Sequence, residues 1–200
     1  MKRVDFALIH APSVYDFRRM TLMYGPISDV IPSTPVFEMY PLGFVSIAAY
    51  LERKGYNVRI VNLAVRMLKD RSFDVEKFIE HLHPAAFGVD LHWLVHAHGS
   101  LEVARTIKKH HPDKPVVMGG LSATYYHRDI LGQYPWIDYV VRGDSVEKPL
   151  LRLLRCLEAG KTPSEIPNVS WRDSSGRVRE NELAYVPESL DDYSLDYEYM

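Results

Sequence analysis

Five short apolar runs rich in β-formers, each followed by a stretch whose apolar residues recur at helical spacing, set the architecture of this sequence. The runs are Val4–His10, Asn57–Leu63, Ala85–Leu91, Pro115–Gly120 and Ile137–Gly143. After the first, Phe44, Ile47, Ala48 and Leu51 fall at i, i+3, i+4 and i+7, one stripe of an amphipathic helix. Gly55 follows as a helix stop. Val75, Phe78, Ile79 and Leu82 form a second stripe, with Asp74 placed to cap it and Pro84 to end it. Further helices are predicted within Ser100–His111, around Ala123–Leu131, and through Val146, Leu150, Leu153, Leu154 and Leu157.

Strands that are apolar on both faces predict a parallel sheet covered by helices on each side. Right-handed crossovers then give an α/β, doubly wound open sheet. Periodicity carries no strand order. Two segments lie outside the alternation. The first connection, Ala11–Tyr40, is far longer than the 2–6 residues or so that such loops usually take. It carries Tyr15, Met20, Met23, Tyr24, Ile31, Val36, Phe37 and Met39, so it is expected either to pack as a lid over the C-terminal edge of the sheet or to hide a short helix. The second is the tail: Asn168–Asn181 reads as a β-hairpin turning at Ser174-Ser175-Gly176. The expected partition is an α/β domain over residues 1–160, with the lid at 11–40, and a hairpin and linker over 161–200. Beyond the hairpin, Pro187–Met200 is acidic and tyrosine-rich, as a linker toward a further domain would be.

Composition narrows the function classes. With 24 basic and 26 acidic residues in 200, the chain offers no general polyanion surface, so no nucleic-acid partner is expected. A single cysteine, Cys156, excludes a disulfide framework and any cysteine-rich zinc or iron–sulfur site; it falls in the last helix's apolar pattern, as a core thiol would. No apolar run approaches the roughly 20 residues of a membrane span, and the start lacks a signal-peptide pattern, so no membrane partner and a cytoplasmic location are expected.

Ligands of such sheets bind beyond the carboxyl ends of the strands, at the switch point. That rule selects His10 and Pro12, Ser13, Val14 and Tyr15 after the first strand; Asp90, His92, Trp93, His96 and His98 after the third; Gly119, Gly120, Leu121 and Ser122 after the fourth; and Arg142, Gly143 and Asp144 after the fifth. Two adjacent glycines let a bulky ligand approach the backbone, or simply make a tight turn. Neither G-x-G-x-x-G nor G-x-x-x-x-G-K-[ST] occurs, which argues against an ordinary dinucleotide or ATP domain. Asp90 stands near a phospho-acceptor position but lacks the acidic cluster expected after the first strand. His92 and His96 would share a helix face, yet His98 would point away, so a polar loop or a ligand pocket competes with a metal site; no metal ligand is assigned. His110 and His111 close a helix, where the dipole favours an imidazolium.

Taken together, Tyr40–Leu63, Ala85–Leu91, Pro112–Thr124, Ile137–Leu154 and Ile166–Val178 resemble the N-terminal cobalamin-binding domain of B12-dependent radical SAM enzymes. The Pro-Leu-Gly opening of the first helix, the double glycine, and Val-Val-Arg-Gly-Asp ahead of an amphipathic helix carry the likeness jointly. The resemblance implies a flavodoxin-like, five-stranded sheet that binds cobalamin, with the corrin over the C-terminal edge and the nucleotide tail in a slot beside Gly119 and Gly120. It also implies that Pro12–Tyr15 lie beneath the ring, and that Asp90 and His92 take the place of a Ser-x-Leu. The cobalt-ligating Asp-x-His-x-x-Gly of the wider cobalamin-binding fold is missing after the first strand, as in many radical SAM members, so no axial ligand carries over. The C-x-x-x-C-x-x-C of the SAM-cleaving cluster is missing too, which assigns SAM and a 4Fe-4S cluster to a catalytic barrel elsewhere in a full-length chain. The expected function is a cobalamin-binding module of a radical SAM enzyme, such as a methyltransferase. The alternative is a cofactor-free docking or substrate-orienting module whose slot is filled by Asp90, His92 and Trp93.

Overall fold

The computed structural model describes residues 4–19, 41–191 and 193. Strands β1 (Phe6–His10), β2 (Val58–Asn62), β3 (Ala86–Asp90), β4 (Val116–Gly119) and β5 (Tyr139–Val141) form a parallel array in the order β2-β1-β3-β4-β5. This is the flavodoxin-like order, with its switch point between β1 and β3. Helices α1 (Leu42–Arg53), α2 (Leu63–Lys69), α3 (Val75–Glu80), α4 (Ala97–His110), α5 (Leu121–Tyr125), α6 (His127–Gln133) and α7 (Glu147–Glu158) complete the α/β layers. The expected hairpin is present as β6 (Val169–Arg172) and β7 (Val178–Glu180), and β6 continues the sheet antiparallel to β5.

Alternation along the strands divides the core. Ala7, Ile9, Phe87, Val89, Val116 and Met118 point to one face, where α2–α6 bring Met67, Ile79, Val103, Ile107 and Leu131 against them. Phe6, Leu8, Val117 and Val141 point to the other, covered by α1 through Phe44, Ile47 and Leu51 and by α7 through Leu150, Leu153 and Leu154. Burying each such side chain contributes about 1.5–3 kcal/mol, so the two stripes read in the sequence hold the α1–α7 layer in place.

Local signals act as read. The Asp74 carboxylate accepts from Lys77 N at 3.0 Å and opens α3. Gly55, at φ +92°, closes α1 while Tyr56 N returns to Leu51 O. Two details differ. Helix α2 begins directly at the end of β2, capped by Asn62, whose side chain accepts from Val65 N at 2.9 Å; its Leu63, Ala64 and Met67 merge with the preceding apolar run and so hide the boundary. The expected helix around Ala123–Leu131 is two short helices parted at Tyr126.

The lid expected over residues 11–40 falls mostly on 20–40, outside the described residues, as does most of the acidic tail. Of the described segment, Ala11 and Ser13 are buried, and Ser13 O accepts from Gly99 N at 3.2 Å. A Cβ on Gly99 would overlap the Pro12 carbonyl, so the first turn of α4 presses directly on this loop. Among the described residues, no helix is long and apolar enough to cross a membrane.

Candidate functional site

A cavity of about 340 Å³ opens at the switch point, between the sheet and the α1–α7 layer. Register builds its floor in rows. Leu8 pairs with Gly88 and Gly88 with Val117, giving an apolar row with Phe6 below it. The next row toward the strand ends holds His10, then Asp90 paired with Gly119 and Gly119 with Val141. Phe44 and Ile47 of α1, and Val146 and Leu150 beside or within α7, make the opposite wall.

Three glycines at the strand ends and within the strands shape this floor. A Cβ at Gly88 would stand 2.6 Å from Phe6 Cζ and 2.9 Å from Leu8 Cδ2, so the missing side chain is what lets those groups lie flat. At Gly119, a Cβ would meet only Val141 O, at 3.7 Å; the space above it belongs to the cavity. Gly120 is different. Its φ is +107°, and a Cβ there would sit 2.7 Å from both His92 N and Leu91 C, so this glycine serves the packing of α5 against the β3 loop. Ser122 holds the same loop, its N and Oγ both donating to His92 O, at 3.1 and 2.9 Å.

The polar end of the cavity is a cluster. His10 Nδ1 lies 2.7 Å from Asp90 Oδ2, with the histidine buried and Asp90 nearly so. The His96 ring, also buried, stands 5.2 Å from that of His10. Ser100 Oγ donates to Asp90 O at 2.6 Å and fixes the strand end. Asp90 Oδ1 is buried and has no hydrogen-bond partner among the described residues.

Of the residues singled out in the sequence, His10, Asp90, His92, Trp93, His96, Gly119, Gly120, Leu121, Gly143 and Asp144 line the cavity together, and His98 does not. His92 and Trp93 meet edge to face at 5.1 Å, and Trp93 and Leu121 are 45% and 50% exposed, so they form a rim and leave the slot open. Pro12, Ser13, Val14, Tyr15, Ser122 and Arg142 are not among the lining residues. Tyr15 packs on the opposite core, its N donating to His98 Nδ1 at 3.2 Å, and burial raises its phenol above the ordinary value. Arg142 is buried beside the hairpin: its backbone N donates to Asn168 O at 2.8 Å and its guanidinium to Asn181 O, while burial pulls its pKa below the ordinary value. The three histidines of the β3 loop separate into a rim group, a buried group and a backbone acceptor, and among the described residues no cluster of three or more histidine, cysteine or carboxylate ligands forms.

Sequence reading placed His10 at a strand end without pairing it to Asp90, and passed over Gly88. A lone glycine inside a strand pattern was the signal for that floor position.

This doubly wound sheet has relatives among known proteins. A family profile described as the B12 binding domain matches residues 29–149, and the chain belongs to that family. The anaerobic magnesium-protoporphyrin IX monomethyl ester cyclase of Synechocystis sp. is 25% identical over 181 residues, covering 90% of this chain and 36% of that protein. Cytidylyl-2-hydroxyethylphosphonate methyltransferase of Streptomyces wedmorensis is 26% identical over 183 residues, covering 80% and 33%. Among solved structures, the radical S-adenosylmethionine methyltransferase TsrM of Kitasatospora setae, with cobalamin and a 4Fe-4S cluster bound, superposes with a TM-score of 0.64 at 17% identity, covering 100% of this chain and 32% of that one. The cobalamin-dependent S-adenosylmethionine radical enzyme OxsB, with aqua-cobalamin and S-adenosylmethionine bound, gives 0.61 at 15%, covering 92% and 23%. The chain thus spans about a third of the length of the curated relatives it matches.

Proposed function

We propose that this chain is the cobalamin-binding module of a cytoplasmic radical SAM enzyme, presenting the corrinoid to a catalytic barrel that carries SAM and the iron–sulfur cluster. The observation that carries the reading is the open apolar slot at the switch point, floored where Gly119 has no side chain. Its volume lies near the lower end of the roughly 300–1,000 Å³ of small-molecule sites, the scale of a nucleotide tail rather than of a whole corrinoid.

The residues present fit that group. Leu8, Gly88 and Val117 would floor the tail, Phe44, Ile47 and Leu150 would wall it, and the exposed Leu42, Trp93 and Leu121 would lie against the ring. Apolar burial contributes about 25 cal/mol per Å², so covering roughly 150 Å² is worth about 4 kcal/mol. When bound, cobalamin supplies cobalt-centred alkyl-group transfer. The chain's own part is to bind, orient and exclude water, with the His10–Asp90 pair holding the strand ends rigid at the slot's polar end. A cofactor-free module would need that slot plugged, and His92 and Trp93 stand at its rim instead.

The test is retention. Purified chain mixed with hydroxocobalamin and desalted is expected to keep the cofactor's visible absorption; no retention at micromolar concentrations overturns the reading. The catalytic partner is tested by the full-length coding sequence, which is expected to contain a C-x-x-x-C-x-x-C segment.

A further inference from the structure

Resting on that reading, we infer that the slot selects among corrinoids by their lower base, taking a benzimidazole-type base and disfavouring a purine. The two floor rows differ in chemistry. The lower row, Phe6, Leu8, Gly88 and Val117, offers no polar side-chain atom, and its backbone groups lie within the parallel ladder. Ile47 and Leu150, which face it from the helices, add none. The polar groups, His10 and Asp90, sit one row up, two residues along the strands and therefore about 6.6 Å away. A base centred on the lower row thus has its nearest polar side chains of the floor one full row away and bonded to each other.

A purine brings two additional ring nitrogens and an exocyclic amine compared with dimethylbenzimidazole. In this slot those groups would leave water and find no protein partner, which is costly; the methyl groups of dimethylbenzimidazole would exchange water for Leu8, Val117 and Leu150. An apolar pocket rejects a ligand with added polar groups by roughly 100-fold at most, so a discrimination of one to two orders of magnitude is the scale to expect.

Equilibrium binding of three probes to the purified chain tests the inference: cobalamin, adeninylcobamide, and cobinamide, which has no nucleotide tail. Cobalamin is expected to bind at least tenfold more tightly than either of the others. Equal affinity for cobalamin and adeninylcobamide, or for cobalamin and cobinamide, overturns the inference while leaving corrinoid binding intact. Retention of none of the three overturns the functional reading itself. A second arm uses Val117→Thr, which places a hydroxyl in the lower row at nearly constant volume. It is expected to move the cobalamin-to-adeninylcobamide ratio severalfold toward the purine, with unchanged circular dichroism; an unmoved ratio in the folded variant counts against the inference. Should that variant fail to fold, the ratio in the unaltered chain decides alone.

Discussion

Gly119 and Gly120 are adjacent, yet they tolerate a side chain in opposite ways. A Cβ on Gly119 enters the cavity with only Val141 O near, whereas one on Gly120 strikes the backbone at Leu91 and His92 from a left-handed conformation. Gly119→Val is therefore expected to weaken hydroxocobalamin retention at least tenfold while the melting temperature moves by only a few degrees. Gly120→Ala is expected to cost at least about 1 kcal/mol of stability, through φ alone before the clash is counted. Desalting and thermal melts on the two variants separate these outcomes, and a Gly119→Val chain that keeps its corrinoid would move the site elsewhere. The double glycine was legible in the sequence as a pair. Its division of labour was not, because that depends on where the β3 loop returns.

At the scale of elements, the α/β alternation was readable because each strand is apolar on both faces and each helix shows one stripe. The β2–α2 join escaped because one apolar run continues through it, whereas the pairing of His10 with Asp90 across 80 positions and the addition of β6 to the edge of β5 depend on contacts distant in sequence. The last of these is fastened by Asn168, at φ +66°, whose side-chain oxygen accepts from Ala184 N and Tyr185 N. It is also fastened by His127 of α6, whose Nδ1 lies 3.0 Å from Ser170 Oγ in β6 and whose Nε2 lies 3.7 Å from Glu180 Oε2 in β7. Burial, aided by Arg142 and Arg128, pushes this imidazole below its ordinary value, with Glu180 and Asp129 opposing. A folded-state pKa below the unfolded one means that the unfolded chain takes the proton first as pH falls. The stability held by the neutral ring is thus fully present above about pH 6.5 and is lost as pH drops from there through the folded value. Thermal melts between pH 7.5 and 5.5 are expected to show this decline, and His127→Gln to flatten it; an unchanged slope would remove His127 from the account.

At the scale of the molecule, the two sides of the sheet are unequally filled. The side under α2–α6 carries a continuous buried apolar cluster, while the side under α1 and α7 encloses the slot. Walls facing a void forgo dispersion contacts that a packed interior would supply. With cobalamin at 100 times its dissociation constant, mass action alone adds about 2.7 kcal/mol of stability. Amide hydrogen exchange on binding is expected to slow most in α1 and α7 and least in α4; uniform slowing would mean that the ligand does not sit between those helices and the sheet.

That asymmetry leaves the chain an unfilled seam. The α1–α7 layer is the one that meets a guest, while the opposite layer keeps the strands in line. A guest seated there would supply the contacts those walls lack, so occupancy tightens that layer.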